Sequence, residues 1–409
     1  MLVERHATAP VVAVVTHVRA GYFDEPDEWV GIAHVLEHMF FKGTPRHGPG
    51  ALARETQLLG GYINAGTIYD KTVYYAVAPS AGGGLARIAA LQADALRHLS
   101  LDESQLAREL EVIVQEARRK LDNPGAVTVE SLYAELYRRH RMGRWRIGTP
   151  EQLRQLTAAD LRAYYRSRYV PERVIVSLVG DLDPEAAVAL AERTWGDWTA
   201  DASTVEPSPE EPPGRPGTLK ITTGDVARPM AAFGWRTVGA LHDDTPALDV
   251  AADVLSSGRS AWLDRQVRDT GLAAAIGAGH STPGEVGVFD VTLTGSPATL
   301  RQAVRRAMDA VRTLHELGPS ADDLARVRAL NRTRWARRLE AAEGRATALA
   351  EFEALGGYQG LNVYLDRIAH VDVDQVRRAA ATWLSDGPSG SLYLPRDLSW
   401  DEHDWPPHA

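Results

Sequence analysis

The sequence predicts an α+β fold organised as two similar domains, and three observations carry that expectation. The chain has 409 residues, more than one ordinary hydrophobic core encloses. Near its midpoint the run Glu206-Pro207-Ser208-Pro209-Glu210-Glu211-Pro212-Pro213-Gly214-Arg215-Pro216-Gly217 is acidic and proline-rich, the composition of a semi-rigid linker. On each side of it, short apolar runs of strand character mix with longer runs of helical period. The expected division is residues 1–198, a linker 199–217, and residues 218–409. Identity between the halves is too weak to establish a repeat.

Composition narrows the function. The 44% hydrophobic and 24% charged residues are those of a soluble globular protein. A net charge of −9 argues against a nucleic-acid partner. Basic clusters such as Arg118-Arg119-Lys120 read as solvated helix faces. The chain has no cysteine, so a disulfide framework and a thiolate metal site are both excluded. Any metal must be held by histidine and carboxylate. No signal peptide and no membrane-length apolar run is visible, so the expected setting is the cytoplasm.

In the first half, residues 11–20 read as a buried strand. The acidic stretch Asp24 to Glu28 suits a helix start, and Lys42-Gly43 a helix end. Between them lies Gly31-Ile32-Ala33-His34-Val35-Leu36-Glu37-His38-Met39-Phe40-Phe41. On a helix, His34 and His38 are one turn apart on the same face, and Glu37 stands beside them. Two imidazoles so placed bind one zinc ion, and the carboxylate can handle the proton of an attacking water. The order H-x-x-E-H is the inverted-zincin signature. In a chain with 13 histidines it arises by accident in roughly one case in forty, so a third ligand has to be found.

A short helix at 49–59 leads to Gly60-Gly61-Tyr62-Ile63-Asn64-Ala65-Gly66-Thr67 and the strand 72–78, a predicted hairpin. If one of its strands lies at a sheet edge, it can pair with an extended peptide. A helix is expected over 84–99, and Ser100 with Glu103 suggests a capping box for the next. Along that helix Leu106, Leu110, Ile113, Val114 and Ala117 form an apolar stripe. Glu109 and Glu116 lie along one edge of it, two turns apart. Carboxylates at the margin of a buried face are costly unless paired or bound to metal, so both are candidates for a third ligand and a supporting carboxylate. Helices near 126–140 and from 150, a strand at 174–180 and a helix to 195–198 complete the half.

The second half is read as a strand at 228–235, helices at 244–256 and 259–268, and strands at 273–281 and 286–294. Long helices at 297–317 and 320–356, a helix at 372–384 and a strand at 390–394 follow. Residues after 399 are expected to be a tail.

Taken together these residues resemble the insulinase/pitrilysin family of inverted-zincin metallopeptidases, which includes mitochondrial processing peptidase. The resemblance runs through Gly31 to Thr44, Gly60 to Val77, Glu109 to Glu116, Gly148-Thr149-Pro150-Glu151, Val179-Gly180-Asp181 and Gly258-Arg259-Ser260. It implies two sandwich domains of the processing-peptidase type, forming half of a clamshell chamber. It implies one zinc ion per chain, with Glu116, 78 residues after His38, as third ligand and Glu109 as the supporting carboxylate. Glu37 is then the catalytic base, and Asn64 and Ala65 pair with the peptide backbone as an added strand.

Two departures from the family pattern bear on assembly. Members with a complete site carry an Arg and a Tyr in the second half, where this chain has Val267 and Ala274; Arg268 is displaced by one residue. The first strand is also expected to be short. The family closes its chamber from four such domains, so the resemblance implies a dimer, preferably with a related subunit that supplies the Arg/Tyr pair. Two narrower readings stand beside a general endopeptidase: a protease dedicated to maturing a leader peptide, and a non-catalytic core-type subunit of a complex.

Overall fold

Two five-stranded sheets organise the described residues, which are 1–200, 206–213 and 217–406 of the computed structural model. Parts of the expected linker, residues 201–205 and 214–216, lie outside the described residues. The first half contains β1 (Leu2–Arg5), β2 (Val11–Val18), α1 (Ile32–Phe40), α2 (Ala51–Leu58), β3 (Tyr62–Ile68) and β4 (Lys71–Pro79). It continues with α3 (Gly84–Arg97), α4 (Glu103–Leu121), α5 (Pro124–Leu136), α6 (Pro150–Leu153), α7 (Ala158–Arg168), β5 (Val174–Gly180) and α8 (Pro184–Trp195). The second half contains β6 (Leu219–Gly224), β7 (Met230–Val238), α9 (Thr245–Ser256), β8 (Ala273–Ser281), β9 (Val286–Gly295) and α10 (Leu300–Leu317). Then come α11 (Ala321–Glu340), α12 (Ala342–Ala354), α13 (Gly360–His370), α14 (Val373–Trp383) and β10 (Ser389–Pro395).

The chain separates into two compact units, and neither is a contiguous half. The first comprises residues 1–118, 146–208 and 335–361. Its sheet runs β1-β5-β2-β4-β3. Val12 and Val14 of β2 pack with Leu178 and Ala78 against Ile88 of α3 and Ala191 of α8. On the opposite face Ala13 and Val15 meet Ala342, Ala346 and Ala350 of α12. Burial on both faces is why β2 reads as an unbroken apolar run rather than an alternation. The small side chains of α12, repeating every four residues, let the helix lie close to the sheet. Ion pairs from Arg345 to Glu4 (2.7 Å) and from Lys71 to Glu351 (2.8 Å) tie it at the margins.

The second unit comprises residues 119–145, 209–334 and 362–409. Its sheet runs β6-β10-β7-β9-β8. Phe233, Trp235, Phe289 and Leu248 anchor its core. Here α5, from the first half of the sequence, lies on the sheet, and the Tyr137 hydroxyl that follows it donates to the Gly287 carbonyl at 2.6 Å. Glu211 of the acidic run is fastened in this unit. Its carboxylate accepts from the amides of Arg139 (2.7 Å) and His140 (2.8 Å) and pairs with Arg236 at 3.2 Å.

The two sheets repeat one topology. Strands β1 to β5 map in order onto β6 to β10, and the single parallel pair falls at the same place in each, β1 with β5 and β6 with β10. The units differ from the expected residues 1–198 and 218–409 because each sheet takes a cover helix from the other half of the chain, α12 and α5.

Several expected elements change. The helix expected over 320–356 breaks at Ala341, whose backbone is extended. Gly344 permits the break, since a Cβ there would lie 2.0 Å from the Arg338 carbonyl oxygen. Helix α13 and strand β6 were not anticipated, the first strand β1 is short at four residues, and the helix expected at 259–268 is a π-helical turn over Asp264–Arg268. The cap of α4 is Asp102, not Ser100, because its carboxylate accepts from the Gln105 amide at 3.0 Å. Residues 400–406 are no tail: Trp400 and Trp405 are buried in the second core, and Trp405 Nε1 donates to the Pro388 carbonyl at 3.0 Å. No described helix is long and apolar enough to cross a membrane.

Candidate metal centre

Helix α1 is held at its start by a buried carboxylate. Glu25 accepts from the amides of Gly31 and Ala33, both at 2.9 Å, satisfying donors that a helix N-terminus leaves open. Gly31 has φ of 93°, and a Cβ there would lie 2.6 Å from the Ile147 carbonyl oxygen. Glycine is therefore required where the chain enters the helix. Ile32, Val35, Leu36, Met39 and Phe40 bury the rest of α1. That leaves His34 and His38 on one partly exposed face, with ring centroids 4.7 Å apart.

Helix α4 brings the carboxylates. Glu116 Oε2 lies 3.9 Å from His34 Nε2 and 3.8 Å from His38 Nε2. One donor atom from each of the three residues falls within 4.8 Å of the others, and among the described residues this is the one group of three or more such side chains that could hold a metal ion. Glu109, two turns earlier, accepts from His38 Nδ1 at 3.2 Å. That contact leaves the Nε2 lone pair of His38 facing Glu116. The donor set suits zinc: two neutral imidazoles and a carboxylate, with one imidazole oriented from behind by a second carboxylate.

Glu37 is buried against this group. Burial raises its carboxyl above the usual range, and a 2.6 Å hydrogen bond from the Thr67 hydroxyl opposes the shift. Thr67 also contacts the Thr72 hydroxyl at 3.3 Å, so β3 and β4 together position it.

Asn64 and Ala65 lie on β3, the end strand of its sheet. Asn64 is exposed, and its side-chain oxygen accepts from the Ala65 amide at 2.9 Å. Position 267 is a fully buried valine, and Arg268 is engaged by Asp264 at 2.7 Å and by Asp269 at 3.3 Å. Ala274 is exposed at an irregularity in the pairing of β8 with β9.

Two residues at the site were missed in the sequence. Thr67 lies two strand positions beyond Ala65, on the same side of the strand, which was a usable signal. Lys42 was read only as a cation at a helix end, and its ammonium in fact lies 2.6 Å from Glu109 Oε1. Its spacing of four residues from His38 could have suggested as much.

Comparisons with known proteins bear on this arrangement. A family model described as insulinase (peptidase family M16) matches residues 1–150, which include every residue of the metal group. A second, described as the peptidase M16 inactive domain, matches residues 155–331. An uncharacterized zinc protease of Mycobacterium tuberculosis is 27% identical over 394 residues, covering 93% of this chain and 89% of its own. The probable mitochondrial-processing peptidase subunit beta of Schizosaccharomyces pombe is 32% identical over 251 residues, covering 61% of this chain and 51% of its own. The crystal structure of a protease from Helicobacter pylori superposes with a TM-score of 0.89 at 23% identity, covering 95% of both chains.

Proposed function

Because this chain belongs to the insulinase family of peptidases, family M16, we propose that it is a zinc-dependent endopeptidase acting on peptides or unfolded polypeptide segments. The observation that carries the reading is the convergence of His34, His38 and Glu116 within 4.8 Å, with the Glu37 carboxyl adjoining. The model labelled inactive covers residues 155–331 and none of these side chains. A non-catalytic core-type role would leave the donor set without selection to preserve it, yet every member is present.

His34, His38 and Glu116 would hold the ion. Zinc held there would supply Lewis-acid polarisation of the scissile carbonyl and of an attacking water at neutral pH. Glu37 takes the proton of that water and delivers it to the leaving amine nitrogen. Burial raises its pKa, which makes the carboxylate a stronger base toward the water, and the proton it gains is then held within reach of the leaving amine. Glu109 fixes the tautomer and tilt of His38. The free edge of β3 takes the substrate as an extra strand, with the Asn64 side chain giving up the Ala65 amide to the incoming backbone. Strand addition selects flexible peptides more than particular sequences.

The active assembly is a dimer with a related chain. Support comes from Val267, buried, and Ala274, without a phenol, at the positions where the family pattern has Arg and Tyr. The test compares zinc content and cleavage of a quenched fluorescent peptide for the purified chain alone and co-expressed with a related chain lacking H-x-x-E-H. Zinc binding with cleavage only in the mixture supports the whole reading. Full activity of the isolated chain removes the heterodimer, and absence of zinc removes the peptidase.

A further inference from the structure

Glu109 and Glu116 project from the same edge of α4, and each faces a different nitrogen of one imidazole. Glu116 Oε2 lies 3.8 Å from His38 Nε2, and Glu109 Oε2 lies 3.2 Å from His38 Nδ1. Spacing on the helix gives no reason for one to be a ligand and the other not. Glu109 is set by what both of its oxygens touch. The second oxygen of Glu109 is held at 2.6 Å by the Lys42 ammonium, so both of its oxygens are committed away from the metal position. The two side chains are mostly buried, 12% exposed for Glu109 and 28% for Lys42. An ion pair so placed is weakly screened by solvent.

The backbone carries Lys42 into this position. Helix α1 ends at Phe40, and the amide of Lys42 still donates to the Met39 carbonyl at 2.9 Å. That added turn sets the lysine one turn beyond His38 on the face that meets α4. Without the ammonium, Glu109 would be an uncompensated carboxylate beside a dication, free to swing one oxygen toward it.

We propose that Lys42 sets the ligand number of the metal centre: by holding Glu109 in an ion pair, it keeps that carboxylate as the orienting partner of His38 and leaves Glu116 as the sole carboxylate donor. Lys42 is a positioning residue in this account, and the account rests on the zinc reading above. It keeps the centre at three protein ligands, with the remaining position open for water and substrate.

The test replaces zinc with cobalt(II), whose visible absorption is intense in a four-coordinate site and weaker when a fifth ligand joins. The wild-type protein, Lys42→Met, Lys42→Arg and the Lys42→Met/Glu109→Gln pair are compared, with circular dichroism to confirm the fold. Lys42→Gln replaces Lys42→Met if the latter does not fold. The expected result is weakened cobalt bands in Lys42→Met, with kcat lower by roughly 10–100-fold at nearly constant KM. Lys42→Arg keeps the wild-type spectrum, and the double variant recovers it. A folded Lys42→Met whose cobalt spectrum equals that of the wild type overturns the inference and leaves the zinc reading standing. A wild-type protein that takes up no cobalt and no zinc overturns both.

Discussion

The Thr67 hydroxyl donates a 2.6 Å hydrogen bond to the Glu37 carboxylate, joining the edge strand β3 to the metal helix α1. The strand proposed to carry substrate thus also holds the group proposed to carry the proton. Glu37→Gln is nearly isosteric and leaves all three ligand side chains in place. It should keep zinc at the wild-type ratio and lower kcat by roughly 10²–10⁴-fold, the usual share of acid–base catalysis. Thr67→Val frees the carboxylate to turn and should cost less, on the order of tenfold. Metal analysis and peptide kinetics on the two variants decide it. Loss of zinc in Glu37→Gln would show that this carboxylate serves the fold.

Metal removal gives a second expectation, because a ligand that binds the folded chain alone stabilises it by mass action. At free zinc about 100 times the dissociation constant, the gain is ~2.7 kcal/mol. A chelator should therefore lower the melting temperature of the wild-type protein and abolish cleavage, and added zinc should restore both. In Glu116→Ala the zinc-dependent shift should vanish. Glu109→Ala should keep a shift but need roughly 10–100-fold more zinc to reach it. Equal behaviour of the two glutamate variants in calorimetry would contradict the assignment of their roles.

How far the sequence could be read follows from the range of the interactions involved. His34, Glu37 and His38 share one helix turn, so their spacing alone states their geometry. Glu109 and Glu116 could be recognised as a pair from the apolar stripe of α4. Their separate roles were not legible there, since the ion pair that engages Glu109 comes from Lys42, which lies outside α4. The end of the chain was misread for a related reason: Trp400 and Trp405 carry no periodic pattern, and their burial depends on surfaces formed by distant segments. The exchange of α12 and α5 between sheets leaves no local trace either, since an alanine stripe suits any close-fitting face. That the two halves are similar was legible in their matching runs of strand and helix, but the pairing order within each sheet is not, because topology persists through the pattern of apolar positions and needs no identity of residues.

A third expectation concerns acid stability. His17 on β2 is 2% exposed, and its Nδ1 has no hydrogen-bond partner among the described residues. Burial, reinforced by the nearby Lys71 ammonium, pushes its pKa down to about 3. The unfolded imidazole titrates near 6.5. Between those values the unfolded chain binds a proton that the folded chain refuses. The stability contribution is therefore complete above about pH 6.5 and is lost as pH falls toward 3, at about 1.4 kcal/mol per pH unit. His17→Leu removes this dependence and the unpaired nitrogen, so it should match or exceed the wild-type stability at pH 7 and fall less steeply toward pH 5. Urea unfolding at pH 7, 6 and 5 measures both slopes, and identical slopes would refute the account.

The fourth expectation tests the packing of the chain's end. Trp405 is 6% exposed, meets Phe233 at 6.3 Å between ring centroids, and donates to the Pro388 carbonyl. It lies so close to β10 that a Cβ on Gly390 would be 2.2 Å from its Cζ2. Trp405→Ala should cost about 3–5 kcal/mol through lost burial and the cavity left behind. Gly390→Ala should cost about 1–3 kcal/mol by overpacking. If the clash is with the indole, the two effects are coupled: once Trp405 is alanine, the added methyl meets open space and its cost should fall nearly to zero. Denaturant unfolding of the four members of this cycle measures the coupling. Additive losses would mean that the glycine is required by its backbone and that the indole is a bystander.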